Sequence, residues 1–375
     1  VGQKETTVSV SPACETAACT GDGANNGRTP RLSVVIAVHN GERIIERTLG
    51  ALAESRFTDF ETVVVDDAST DRSAELAARF PVRLVKLVRN RGAGFARNEG
   101  ARQARGEIIF ITDQDCLMEP DTLGRVVAAA AGDPRRVVGG TYTTIPADRQ
   151  HFASSFQSLH VHYFETKHKH PDYVAAHAMV LPRALFLQHG GFPETPIMGK
   201  LDGLAADVQL CREMREDGVE IVADPSIQVR HYFGFSLWGS LVNAASKSFT
   251  WTRYALSQRA LLTDSGSAST EMKLGGIFSG LFTAGLLPAL FSGSLPLWLP
   301  ALLPLAGAIW VNRRFYRFIR RQRGTTFLLL AVGFYTVMLD VILVASALAT
   351  LRHLADGGKG DSQPSPDGPV KGAGR

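Results

Sequence analysis

Three long β-branched apolar runs, each closed by polar or acidic residues, constrain this chain more than any other feature. They are Arg31–Asn40, Phe60–Val65 followed by Asp66-Asp67, and Glu107–Thr112 followed by Asp113-Gln114-Asp115. Runs that are apolar throughout, instead of alternating, belong to strands buried on both faces, the habit of parallel sheets. A segment with Ile44, Ile45, Leu49 and Leu52 at helical spacing separates the first two runs, and another strand, Val82–Val88, follows the second. Strand and helix in alternation predict an α/β fold with a mostly parallel sheet flanked by helices. Its ligand then lies at the carboxyl ends of the strands, where the acids collect.

Asp113 and Asp115 project to the same side if extended geometry persists through Gln114. Two carboxylates so close repel each other and call for a cation, and hard Mg²⁺ or Mn²⁺, which takes carboxylate and phosphate oxygens, fits them. The Asp-x-Asp pattern is short, and a strand entering a helix start at Glu119-Pro120-Asp121 produces it too. Between the third and fourth strands, Arg89–Gly100 carries Gly92 and Gly94 at the mouth of a helix, with Arg97 one turn in. Glycines there let backbone N–H groups approach a phosphate. The stretch is not a dinucleotide fingerprint, because Arg97 occupies the place of the last glycine and the first strand is not the one it follows.

The succession VVIAVHNGE, VVVDDASTD, NRGAGFARNEGA and IIFITDQD resembles the nucleotide-binding half of family 2 glycosyltransferases of the GT-A (nucleotide-diphospho-sugar transferase) fold. The resemblance implies that Ala37, His39, Glu42 and Asp67 hold the nucleoside, with Asp67 on the base. It implies Arg97 near the base or diphosphate, Asp113 near the ribose, Gln114 among the nucleotide-sugar contacts, and Asp115, assisted by Asp113, on the metal. Ala37 and His39 stand where the family usually has Pro and Tyr.

The acceptor half follows. Val137–Tyr142 reads as a strand, and the stretch after it, holding His151, His160, His162, His168 and His170, reads as a flexible acceptor-side loop, since no acid-backed zinc ligand spacing accompanies the histidines. Ala175–Arg183 and Gly190-Gly191-Phe192-Pro193 resemble the segment lining the family's acceptor pocket. Leu204, Val208, Leu210, Cys211 and Met214 trace a helix face ended by Gly218. Asp207 in its first turn suits the positive end of the helix dipole. By resemblance Asp207 is the catalytic base, although Ala206 replaces the acid that usually precedes it. His231, after the extended run Ile227–Arg230, stands where the family often has a histidine approaching the metal or diphosphate. The QxxRW motif of processive synthases is absent from the sequence, which implies one sugar per encounter and, by resemblance, an inverting transfer from a nucleoside diphosphate sugar.

Net charge is only +4 over 375 residues, and the chain divides into unlike parts. Residues 1–30 read as a disordered tail, 31–232 as the catalytic domain (31–115 nucleotide-binding, 116–232 acceptor), 233–273 as amphipathic interfacial helices, 274–351 as about three transmembrane helices, and 352–375 as a second disordered tail. Leu274–Val311, interrupted by prolines, suggests two short spans joined near Ser292-Gly293-Ser294, and Thr326–Leu351 a third containing Asp340. The basic loop Asn312–Arg323 places that side in the cytoplasm by the positive-inside rule. Cysteines 14, 19, 116 and 211 form no disulfide or zinc framework, and the N-terminus holds no apolar core of signal-peptide length. Together these predict a multi-pass protein of the cell (inner) membrane with a cytoplasmic catalytic domain. Its partners would be membrane lipids and a lipid-linked or envelope-glycan acceptor, and nucleic acid is not among them. Two other readings fit parts of the pattern: a sugar nucleotidyltransferase, which would want a basic Gly-rich loop directly after the first strand, and a catalytically inactive transferase-like membrane binding protein.

Overall fold

The computed structural model describes residues 16–20, 29–148, 151–194, 202–262, 264, 266, 268–292 and 299–357. The first half runs β1 (Thr16–Thr20), β2 (Leu32–Val38), α1 (Ile45–Ala53), β3 (Phe60–Asp66), α2 (Ser73–Ala77), β4 (Arg83–Leu87), α3 (Ala93–Gln103), β5 (Ile108–Asp113), β6 (Cys116–Met118) and α4 (Thr122–Ala130). The second runs β7 (Arg136–Tyr142), α5 (Phe152–Glu165), β8 (Ala178–Pro182), α6 (Arg183–Gln188), α7 (Asp202–Glu216), β9 (Glu220–His231), α8 (Leu237–Ser257), α9 (Thr270–Ser292), α10 (Leu299–Val311) and α11 (Arg313–Ala355).

These strands form one sheet in the order β1-β4-β3-β2-β5-β8-β7-β9-β6. β4, β3, β2 and β5 are mutually parallel, β8 runs antiparallel to β5 and β7, and β6 and β1 cap the edges antiparallel to their neighbours. The mostly parallel, helix-flanked sheet expected from the sequence is therefore present. Alternation along the strands divides the core: Val34, Ile36, Val64 and Phe110 pack on one face, Val35, Ile109, Ile111 and Met179 on the other, all fully buried. Helix α3 lies directly on the second face at Gly100, where a Cβ would overlap Val35 and come within 3.2 Å of Val65. That close approach brings Arg97 to the carboxyl edge of the sheet.

A third cluster joins the catalytic layer to the C-terminal helices. Phe156, Leu159 and Phe164 of α5 pack with Met272, Phe315, Tyr316, Ile319, Tyr335 and Leu339. This corrects the expected histidine loop: the segment is a 14-residue helix. His160 is a core residue among Phe156, Phe164, Phe315 and Tyr335, with burial pushing its imidazole down to about 3 and so keeping it neutral.

Two further expectations are corrected. Thr16–Thr20, assigned to a tail, pairs antiparallel with β4 at the sheet edge. The basic stretch after Asn312 is helical, because Phe315, Tyr316 and Ile319 supply one buried face while Arg314, Arg317, Arg320 and Arg321 stay exposed. It meets the rest of α11 at Gly324, whose φ of 81° breaks the helical geometry. Among the described residues one helix, Arg313–Ala355, is long and apolar enough to cross a membrane, and the apolar Leu299–Val311 is shorter. Asp340 meets a neighbouring helix, accepting from Thr283 Oγ1 of α9 at 2.7 Å. Of the expected join between two short spans, residues 293–294 lie outside the described residues, as does the tail beyond residue 357.

Candidate active site

The ends of β2, β3 and β5 meet the start of α3 around a cleft of about 210 Å³ lined by Ala37, Val38, His39, Asp67, Ala93, Asp113, Gln114 and Asp115. The sequence-derived nucleotide residues thus converge, with two exceptions in detail. Glu42 is not part of this lining; its carboxylate pairs with Arg72 at 2.6 Å and ties the loops after β2 and β3 together. Arg97 stands behind the lining, 2.6 Å from Asp113.

Backbone geometry explains why these side chains gather. Asp67 is buried and accepts from the N–H groups of Arg91 at 2.7 Å and Gly92 at 2.8 Å, so it pins the glycine loop that opens α3. Gly92 adopts φ 88°, a conformation that favours glycine. Gln114 Oε1 accepts from His39 N at 3.0 Å, and His39 Nδ1 lies 2.8 Å from Asp67 O, which cross-links the three strand ends. Extended geometry does not persist through Gln114 as expected: β5 stops at Asp113, and Gln114-Asp115 form a turn before β6. The turn still delivers both acids to one cleft.

The two acids are electrically different. Arg97, its side chain 8% exposed, neutralises Asp113 and holds that carboxyl below its ordinary value despite burial. Two N–H groups of Arg97, at Nε and Nη1, have no hydrogen-bond partner among the described residues. Asp115 has no such cation; burial first, then the charge of Asp113, pushes it up to about 7. Its Oδ1 lies 3.4 Å from His231 Nε2. Register brings them together, since β6 pairs Cys116 with His231 and Tyr232 N donates to Asp115 O at 2.8 Å. Burial drives the His231 imidazole down to about 3, leaving a neutral nitrogen donor.

Donor atoms of Asp115, Cys116 and His231 all lie within 4.8 Å of one another. Burial raises the Cys116 thiol well above its ordinary value. A carboxylate short of positive charge beside a neutral imidazole and a second carboxylate fits a hard divalent cation.

Asp207 approaches from α7. It is 6% exposed, Oδ2 accepts from Ala176 N at 2.9 Å, and Oδ1 has no partner among the described residues. Burial raises its carboxyl to about 6, against the opposing pull of Arg97. Opposite it, Asn98 of α3 donates to Phe192 O at 2.8 Å and accepts from Phe192 N at 2.8 Å, docking the Gly190-Gly191-Phe192 loop onto the nucleotide half. Sequence reasoning missed His177 and Glu165, which lie 3.3 Å apart beside this group. The imidazole inside the AAHAM segment, quoted only as pocket lining, was the available signal.

Residues 33–187 match the family model described as Glycosyl transferase family 2. Among curated relatives, the succinoglycan biosynthesis protein ExoO of Rhizobium meliloti (strain 1021) is 43% identical over 111 residues, 28% of this chain and 32% of that protein. The validoxylamine A glucosyltransferase of Streptomyces hygroscopicus subsp. limoneus is 40% identical over 119 residues, 30% of this chain and 26% of that protein. The chain thus spans about a third or less of the length of these relatives. Among solved structures, mannosyltransferase PcManGT from Pyrobaculum calidifontis, in complex with GDP-Man and Mn²⁺, superposes with a TM-score of 0.52 at 20% identity, covering 87% of this chain and 88% of that one. That likeness is one of fold, and the fold is GT-A.

Proposed function

We propose that this chain is a membrane-anchored, inverting, non-processive glycosyltransferase. It moves a sugar from a nucleoside diphosphate to a hydroxyl of a lipid-linked or membrane-proximal acceptor. The observation that carries this reading is the convergence of Asp67, Asp113 and Asp115 on one cleft, with Arg97 and the buried Asp207 coupled electrostatically to the same acids.

In this reading Ala37, His39 and Asp67 receive the nucleoside, Gln114 and Asp113 flank the ribose, and the two unpartnered N–H groups of Arg97 serve the diphosphate. Asp115 and His231, with Asp113 beside them, would hold Mg²⁺ or Mn²⁺, which when bound supplies positive charge for the departing diphosphate. Asp207 takes the acceptor's hydroxyl proton on Oδ1. The acceptor oxygen bonds to the anomeric carbon as that carbon's bond to the diphosphate breaks on the opposite face, which inverts the centre.

The anchor is supported by the apolar surface of α11, where Leu329, Leu330, Val344, Leu348 and Leu351 are each more than half exposed. Exposed Leu237 and Trp238 on α8 and the four outward arginines of α11 suit a cytoplasmic headgroup interface.

A thermal-shift screen of nucleoside diphosphate sugars on the full chain, with and without Mn²⁺, tests the reading. At least one donor is expected to raise the melting temperature, more with the ion, and to lose its sugar to a lipid extract. Absence of stabilisation by every donor, or a donor split to sugar phosphate and nucleotide instead of transferred, would overturn it.

A further inference from the structure

The segment Ala176-His177 touches three parts of the site at once. Ala176 N donates to Asp207 Oδ2 at 2.9 Å. His177 O accepts from Thr112 Oγ1 at 2.8 Å, and Thr112 immediately precedes Asp113 on β5. The His177 ring is 7% exposed, with Nε2 3.3 Å from Glu165 Oε2. Glu165 Oε2 also accepts from Thr141 Oγ1 at 2.9 Å, and Glu165 belongs to α5, the helix whose aromatic face packs on α11. The His177 ring lies tilted against Tyr142, centroids 4.1 Å apart, and Tyr142 in turn meets His231 at 4.6 Å.

A buried imidazole is ordinarily driven neutral. Here the Glu165 carboxylate, then Asp113 and Asp207, reverse that and hold His177 above its ordinary value. Arg97 pairs directly with Asp113 and acts on Asp207 at longer range. On α7 the position immediately before Asp207 is Ala206.

We propose that His177, clamped by Glu165, is a positioning residue for the base. Held by Thr112 at its carbonyl and by Glu165 at its ring, it fixes the Ala176 amide against Asp207 Oδ2 and so leaves Oδ1 without a partner among the described residues, available to an acceptor hydroxyl. The Glu165–His177 pair thereby replaces the helper that Ala206 does not provide. This inference rests on the transferase reading above.

The test uses the full chain with a donor accepted in the screen, and compares Glu165→Gln, His177→Gln and the double variant for kcat, donor KM and melting temperature. Each single change is expected to lower kcat by about tenfold to a hundredfold, the usual cost of losing such a supporting partner. Donor KM should stay within about twofold, and the double variant should be no worse than the poorer single, since the two residues act as a unit. An active wild type with a His177→Gln kcat within about twofold of it, or losses that multiply in the double variant, or losses confined to KM, overturns the inference alone. If His177→Gln does not fold, Glu165→Gln decides by the same kcat and KM criteria. A wild type that transfers nothing overturns the transferase reading and this inference with it.

Discussion

Replacing Asp115 by Asn removes a charge that the apo protein tolerates poorly, so the variant should be more stable than the parent under the right conditions. The Asp115 carboxyl is carried from its ordinary 3.8 up to about 7 by burial and by Asp113. Between these two values the native state keeps a proton that the unfolded chain has lost, so stability falls as pH rises from about 4 to 7 and then levels off. Full expression of the effect, above pH 7, is at most about 4 kcal/mol. Asn cannot ionise, and in the absence of divalent ion at pH 8 it should melt several degrees above the parent, at roughly 2 °C per kcal/mol for a chain of this size. The gap should close toward pH 4, where both side chains are neutral. Added Mn²⁺ should then raise the melting temperature of the parent and leave the variant nearly unmoved. Tryptophan fluorescence during thermal unfolding in detergent, with EDTA or Mn²⁺ at pH 5 and 8, measures all of this. A variant less stable than the parent at pH 8 without metal, or an equal Mn²⁺ response in both, would refute the reasoning.

Asp207→Asn should lower kcat by roughly 10²- to 10⁴-fold with donor binding by calorimetry preserved. In the parent, kcat/KM should rise with pH through about 6, because the base must be ionised and Asp207 titrates there, and the Asn variant should lose that limb. Arg97→Met leaves the partly exposed Asp113 without its partner and should cost about 1–3 kcal/mol by denaturant titration, unless Asp113→Asn is added, which should recover part of it. Gly100→Ala forces a methyl into Val35 where α3 meets the sheet and should destabilise by roughly 1–3 kcal/mol while leaving donor KM nearly unchanged in whatever fraction folds.

The parallel core and its acidic edge were legible because each depended on local pattern. The strands β2, β3 and β5 announce themselves as unbroken apolar runs, and Asp67, Asp113 and Asp115 follow directly from where those runs stop. Asp207 was legible as a helix-borne acid, but its unpartnered oxygen and raised carboxyl come from Ala176 and from burial, which no spacing reveals. The α5 helix was hidden because histidines mask its apolar stripe. Phe152, Phe156, Leu159 and Tyr163 lie at helical intervals, yet the surface they cover belongs to α11, more than a hundred residues away. The basic stretch of α11 misled in the same way: arginine density suggested a loop, while Phe315, Tyr316 and Ile319 at intervals of one and three held it as a helix against α5. Glu42 was assigned to a ligand, and Arg72 claims it by an ion pair formed across two loops.

The aromatic cluster of Phe156, Phe164, Phe315 and Tyr335 makes the helices after β9 part of the same interior as α5. A chain cut after His231 would lose the partners of Phe156, Leu159 and Phe164 and present α5 as an open greasy face. Because α5 also carries Glu165, the lever that reaches His177, solubilising the catalytic half by truncation would loosen the very helix that braces the base.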